Sequence, residues 1–381
     1  MKKLINNFIN SQTFDFRYNS FDFIRLVLSI LVVINHSESI GKLFRYSNIA
    51  VRDYDNTGTS IGTLSVYCFF IISGFLITRS FLNSKSAGDY IINRFKRIYP
   101  GFVVSLFVIS FLFVPLYFFL KNGFDFAKFY SIHTINMIEY FVQNIFVEIR
   151  KPSVALPNIR DLDVNGSYWT LIHEVRAYFL VLCLGLLGIL NKRFVILLLA
   201  FLINIAYILS SLSIKIPNKD FLFRDFFNSL IYDSHLIIIL CYFIFGMLFY
   251  TFQAKIIWNK WFYTLSIIGL LIGLRFDIFP TLAPTCLTYF VLYSSQILPF
   301  RKIVSKIGDL SYGIYIYSWP IQLCLFYLGL NKITDNKYYN YILFVTISIL
   351  ASMVAGYLSW NLVEKKWLSK KNNFQNTLAI R

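Results

Sequence analysis

Two ionisable side chains, Arg25 and His36, stand eleven residues apart in the otherwise apolar run "FDFIRLVLSILVVINHSES". At 100° per residue, eleven steps make three turns and about 20°, so a helix carries both on one face, about 16 Å apart along its axis. Histidine is the side chain best suited to moving protons near neutral pH, and His36 sits in a polar group with Asn35, Ser37 and Glu38. A guanidinium and an imidazole on one face look like residues flanking a route across a membrane. The plainer alternative is that Arg25 snorkels to one headgroup layer and His36 marks the other.

Two further stretches carry charge at chemically useful spacing. "NGSYWTLIHEVRAYFL" places Glu174 and Arg176 about one to two turns inside an apolar segment; two residues apart, they point to different sides, and each needs a mate elsewhere. His36 enters at a similar depth, which makes a His36 and Glu174 pairing geometrically possible. "GDYIINRFKRIYP" supplies Arg94 and Arg97, three residues apart and so on one helical face, with Pro100 expected to open the next helix. Two such guanidinium groups can hold phosphates bidentately, or they can serve topology and touch anionic lipid.

These residues must be positioned by membrane-spanning helices. The chain of 381 residues is 57% hydrophobic with a mean hydropathy of +0.61, which no soluble domain keeps in water, so it reads as a polytopic membrane protein. The net charge of +17 would suggest nucleic acid in a soluble protein, but here Lys and Arg lie between apolar spans and act as topology determinants; no nucleic-acid partner is expected. Runs long enough for the hydrocarbon core recur at 22–39, 61–82, 100–120, 168–190, 194–213, 230–252, 259–276, 279–299, 309–330 and 339–362, about ten in all.

Basic residues concentrate at Lys2, Lys3 and Arg17, at Lys85 to Arg97, at Lys192 and Arg193, at Arg301 to Lys306, and at Lys365 to Lys371. The positive-inside rule therefore puts both termini in the cytoplasm. The long connector Lys121 to Ser167 then lies outside, with 133–149 interfacial. The expected fold class is all-α, a polytopic transmembrane helical bundle forming one domain over 1–381. Its N-terminal segment 1–20 and tail 368–381 are short, and no soluble second domain is expected. No cleavage site follows the first span, which reads as a retained anchor. Cys68, Cys183, Cys241, Cys286 and Cys324 are scattered in apolar segments, against a disulfide scaffold or a metal site. His133, His173 and His235 read as ordinary polar surface or interface residues.

The chain resembles the acyltransferase-3 family of integral membrane acyltransferases, found in bacteria as O-acetyltransferases of surface polysaccharides. Asp22, Arg25 and His36 fill that family's first-helix pattern. "FFIISGFLIT", "RFKRIYP", "YWTLIHEVRAYF", "LSYGIYIYSWPIQ" and "SWNLVEKK" resemble its further motifs in order, up to Lys366. Two positions depart: Ser318 stands where many members carry His, which removes it from the catalytic set, and Lys366 stands where Pro is common, so a Pro-defined end to the last helix is not expected.

The resemblance implies an acyl-coenzyme A donor, acetyl-CoA first, on the cytoplasmic side as a substrate rather than a resident cofactor. It also implies a hydroxyl acceptor on a glycan such as O-antigen, capsule or exopolysaccharide, and a multi-pass place in the cytoplasmic (inner) membrane, with the bilayer as a partner. On that reading His36 is the general base, Glu174 its orienting carboxylate, and Arg94, Arg97 and Arg25 hold the donor. Ser73 and Gly74 either stabilise an oxyanion or allow close helix packing, the commoner role of small residues. Tyr168, Trp169, Tyr315 and Trp319 are acceptor-contact candidates, although interfacial anchoring explains such aromatics more often. The alternative in another class is a transporter or flippase of a lipid-linked or acylated glycan, since intramembrane charges occur there too.

Overall fold

In hydrocarbon no water satisfies a backbone N–H or C=O, so long apolar runs are driven into helices that pair these groups internally. The computed structural model describes residues 14–43, 59–123, 126–146, 165–212, 234–300, 304 and 307–369, and among them the regular elements are helices, with no strand. They are α1 (Phe21–Leu43), α2 (Ile61–Leu82), α3 (Ala87–Val108), α4 (Val114–Asn122), α5 (Phe126–Asn144), α6 (Trp169–Leu186), α7 (Arg193–Ser211), α8 (Ser234–Phe252), α9 (Lys260–Arg275), α10 (Phe279–Ile297), α11 (Ser311–Tyr327), α12 (Lys337–Ser359) and α13 (Lys365–Ser369). Single π-helical turns, Ile109–Phe113 and Trp360–Glu364, join α3 to α4 and α12 to α13.

Each expected span coincides with a helix, and the protein is an all-α, multi-pass membrane protein. Among the described residues seven helices are long and apolar enough to cross a bilayer: α1, α2, the α3–α4 rod over Ala87–Leu120, α6, α7, α8 and the α12–α13 rod over Lys337–Leu368. Of the expected spans outside that set, α9 has 16 residues and α11 has 17. The third, α10, has 19 residues and carries Pro and several hydroxyl side chains.

One expectation is corrected. Pro100 does not open a helix; it lies inside α3, which begins at Ala87 and carries Arg94 and Arg97 on a continuous rod. Proline removes one helical hydrogen bond, and interrupting the helix at that depth would forfeit several, so the helix continues through it. At the C-terminal end the helix likewise runs past Lys366 to Ser369.

The chain divides into two compact units, interleaved in sequence. The first takes residues 1–28, 52–90 and 173–303. Its α2 and α8 meet backbone to backbone. A Cβ on Gly74 would lie 2.0 Å from the Phe243 carbonyl oxygen, and one on Gly246 2.2 Å from that of Ile71. Close approach through small residues is how helices gain dispersion contact in lipid, where lipid tails offer apolar groups no reason to associate. Phe14 leans edge-on against Phe75 and Trp258, and the Ser20 amide and hydroxyl donate to Ser295 O and Leu298 O, tying the segment before α1 to α10. Helix α7 exposes Phe194, Leu197, Leu198, Phe201 and Leu202, a surface suited to hydrocarbon.

The second unit takes residues 29–51, 91–172 and 304–381. Helix α11 is its spine, packed closely on α12 where a Cβ on Gly313 would lie 2.7 Å from Gly356 Cα. The "LSYG" motif thus has a packing reason.

Candidate functional site

Pro320 lies inside α11 and has no N–H to give to the carbonyl of Ile316, four residues back. The Asn165 side chain fills that vacancy, Nδ2 donating to Ile316 O at 2.8 Å. Its Oδ1 accepts from Ser167 N at 3.0 Å, which shapes the turn leading into α6. A helix break in one element therefore positions the start of another, and with it Tyr168, Trp169 and Thr170. Thr170 Oγ1 and Tyr315 Oη share a hydrogen bond of 2.7 Å, and Tyr168 Oη and Ser105 Oγ share another of 2.7 Å. Tyr168 and Tyr315 are buried, whereas Trp169 is exposed.

His36 lies on the same spine. Its ring meets Trp319 edge-on, centroids 4.9 Å apart at 84°, and its Nδ1 is buried with no hydrogen-bond partner among the described residues. The indole is confined from another side of the chain: a Cβ on Gly166 would lie 3.0 Å from the Trp319 ring. Three residues beyond Trp319, Gln322 Nε2 donates to Val33 O at 2.8 Å and to Ser37 Oγ at 2.6 Å, bracketing His36 on α1.

At the beginning of α11 the chemistry is ionic. Arg97 forms an ion pair with Asp309, and Asp309 Oδ1 also accepts from the Ser311 hydroxyl at 2.5 Å. Glu364, buried at 2% exposure, accepts from Ser359 Oγ at 2.8 Å and feels the charges of Arg97 and Asp309; its Oε2 has no partner among the described residues. Tyr312 Oη donates to Ile98 O at 3.0 Å, fixing α3 beside α11. Tyr312 and Trp319 are seven residues apart, about 10 Å along the axis, so one helix spans from the ionic end to the indole that the imidazole meets.

The second unit thus collects His36, Arg94, Arg97, Tyr168, Trp169 and Tyr315, all singled out in the sequence, with Trp319. Arg94 is half-buried. The other candidates belong to the first unit. Arg25 pairs with Asp22 one turn earlier at 3.5 Å, Glu174 accepts from Tyr178 Oη at 2.5 Å, Ser73 is half-buried, and Gly74 sits at the α2–α8 contact described above. His173, expected at a surface or interface, is buried at 5%; His235 is exposed, and the His133 side chain lies outside the described residues. Ser318 is fully buried and donates to Tyr315 O, an intrahelical bond.

Residue types and spacing did not single out Asn165, Asp309, Gln322 or Glu364. Signals existed for two of them. Glu364 closes the "SWNLVE" motif, and a proline in an apolar helix announces an unpaired carbonyl that some donor must meet.

The chain is similar to an "O-acetyl transferase" of Shigella phage Sf6, 25% identical over 363 residues that cover 93% of this chain and 97% of that protein. It is also similar over shorter stretches to "Nodulation protein 10" of Rhizobium leguminosarum bv. viciae, 32% identical over 97 residues and 24% of each chain. A Haemophilus influenzae "Uncharacterized protein" is 30% identical over 113 residues, 26% of this chain and 44% of that one. No solved structure matches. The family described as "Acyltransferase domain" matches residues 18–361, a stretch that contains Arg25, His36, Arg94, Arg97 and all of α11, and the chain belongs to that acyltransferase-3 family.

Proposed function

We propose that this acyltransferase is a membrane O-acyltransferase that moves an acyl group, acetyl first, from cytoplasmic acyl-coenzyme A to a hydroxyl of a cell-surface or lipid-linked glycan. The O-acetyl group is suggested by the name of the phage relative, which matches along nearly the full length of both chains. The observation that carries the reading is His36, a half-buried imidazole whose Nδ1 has no partner among the described residues, placed against Trp319 in the unit that also holds the Arg94 and Arg97 guanidinium groups.

On this reading His36 takes the proton of the acceptor hydroxyl as its oxygen attacks the thioester carbonyl. The carbon–sulfur bond breaks, and the coenzyme A thiolate leaves with the proton returned by the imidazolium. Arg97, oriented by Asp309, and Arg94 on the same helix face are proposed to offer their forks to the donor's phosphate oxygens. Both termini are proposed to face the cytoplasm of a cell whose inner membrane holds the enzyme.

The test is transfer of labelled acetyl from acetyl-CoA by purified protein to surface polysaccharide from cells lacking it. His36→Ala is expected to reduce kcat by about 10²- to 10⁴-fold. Transfer undiminished in His36→Ala refutes the base assignment, and no transfer by wild-type protein refutes the activity, as a transporter would.

A further inference from the structure

Gln322 is fully buried, and its amide orientation is determined by its surroundings. Nε2 lies 2.8 Å from Val33 O and 2.6 Å from Ser37 Oγ, while Ser37 Oγ itself donates to Val33 O at 3.0 Å. Flipping the amide would put an oxygen against the Val33 carbonyl oxygen, so the nitrogen must face α1. Both amide hydrogens are then spent. Oε1 points away from that contact and, although buried, has no hydrogen-bond partner among the described residues. Buried amide oxygens are nearly always paired, so an orphan of this kind calls for an explanation.

A second orphan belongs to the same helix pair. His36 Nδ1 is also buried, with no hydrogen-bond partner among the described residues; it lies one residue before Ser37, and its ring touches Trp319, which shares a face of α11 with Gln322 at i, i+3. The two tethers from Gln322 to Val33 and Ser37 hold these orphans in a constant relation to each other.

We infer that Gln322 is a substrate-contact residue: its Oε1 accepts a hydrogen bond from a second, non-reacting hydroxyl of the acceptor, next to the hydroxyl that His36 deprotonates. The chemical class recognised is a polyol with neighbouring hydroxyls, as on a sugar ring, rather than a simple alcohol. This deepens the proposed function and rests on His36 being the base. A site built to accept from a substrate hydroxyl discriminates strongly against molecules lacking it, because the buried acceptor then stays unpaired.

The experiment uses full-length protein in lipid nanodiscs, acetyl-CoA as donor, and base-deacylated surface polysaccharide from cells lacking the protein as acceptor. Gln322→Met keeps the volume and removes the oxygen. Its kcat/KM for polysaccharide is expected to fall about 10- to 100-fold with the KM for acetyl-CoA within about twofold. Unchanged acceptor kinetics, or donor and acceptor constants worsening together, overturns the assignment; the second pattern is what a merely structural tether would give. Should Gln322→Met not fold, Gln322→Glu decides. Its acid form keeps a donor for Val33 and a free carbonyl oxygen, so an acceptor KM within about threefold of wild type is expected and a tenfold rise overturns the proposal. If wild type is active, His36→Ala is dead and Gln322→Met behaves as wild type, this inference alone fails. If His36→Ala remains active, the reading beneath it fails.

Discussion

Arg97 and Asp309 form an ion pair between α3 and the start of α11, with side-chain exposures of 23% and 10%. A guanidinium so held is fixed in direction, which a free arginine on a membrane surface cannot be without losing rotamer entropy.

Arg97 and Asp309 are therefore expected to separate stability from donor binding. Asp309→Ala removes the carboxylate that holds a partly buried guanidinium and is expected to lower unfolding stability by about 2–3 kcal/mol, somewhat below the cost of breaking a fully buried pair. Arg97→Lys keeps the charge but loses the fork, so acetyl-CoA KM is expected to rise about tenfold with kcat little changed. Thermal unfolding in detergent and steady-state kinetics at varied acetyl-CoA check the two outcomes.

Asn165 is expected to matter through Pro320. Asn165→Ala orphans the Ile316 carbonyl and is expected to cost about 1–3 kcal/mol. In a Pro320→Ala background the restored N–H of residue 320 meets that carbonyl, and the same substitution is expected to cost clearly less. A double-mutant cycle of unfolding free energies gives the coupling, and strict additivity would exclude this account.

Gly166→Ala is expected to act on catalysis through Trp319. A methyl 3.0 Å from the indole forces the ring to yield by a few tenths of an ångström, and His36 leans on that ring. Small misplacements of a catalytic group are costly, so kcat is expected to fall about 3- to 30-fold with the donor KM unchanged. Single-turnover rates measured beside the KM for acetyl-CoA test it.

Gly74→Ala is expected to prevent the α2–α8 contact from forming, since the methyl would stand 2.0 Å from the Phe243 carbonyl oxygen and backbone cannot rotate aside. A loss of about 3 kcal/mol or more is expected, seen as protein that aggregates on extraction. Ser73→Ala separates the two roles offered for this pair: a packing residue leaves kcat within about twofold, whereas an oxyanion donor costs about 10²-fold or more.

The positions of the helices were legible in the sequence because hydropathy and helical period are local properties, averaged over a run of residues that needs no partner to be read. The same locality put Arg25 and His36 on one helix and Arg94 and Arg97 three residues apart. Pro100 marks where local reasoning misled: proline forbids one backbone bond, but whether a helix stops there depends on whether water is at hand to take the others.

The contacts that make a site lay beyond such reading. Gln322 meets Val33 at a sequence separation of 289, Arg97 meets Asp309 at 212, and Asn165 meets Ile316 at 151. From sequence alone His36 is an imidazole on an apolar helix, with many conceivable neighbours. Only the packing of α11 against α1 decided that Trp319 and Gln322 flank it, because burial turns each unpaired polar atom into a cost that a specific partner, distant in the chain, must remove.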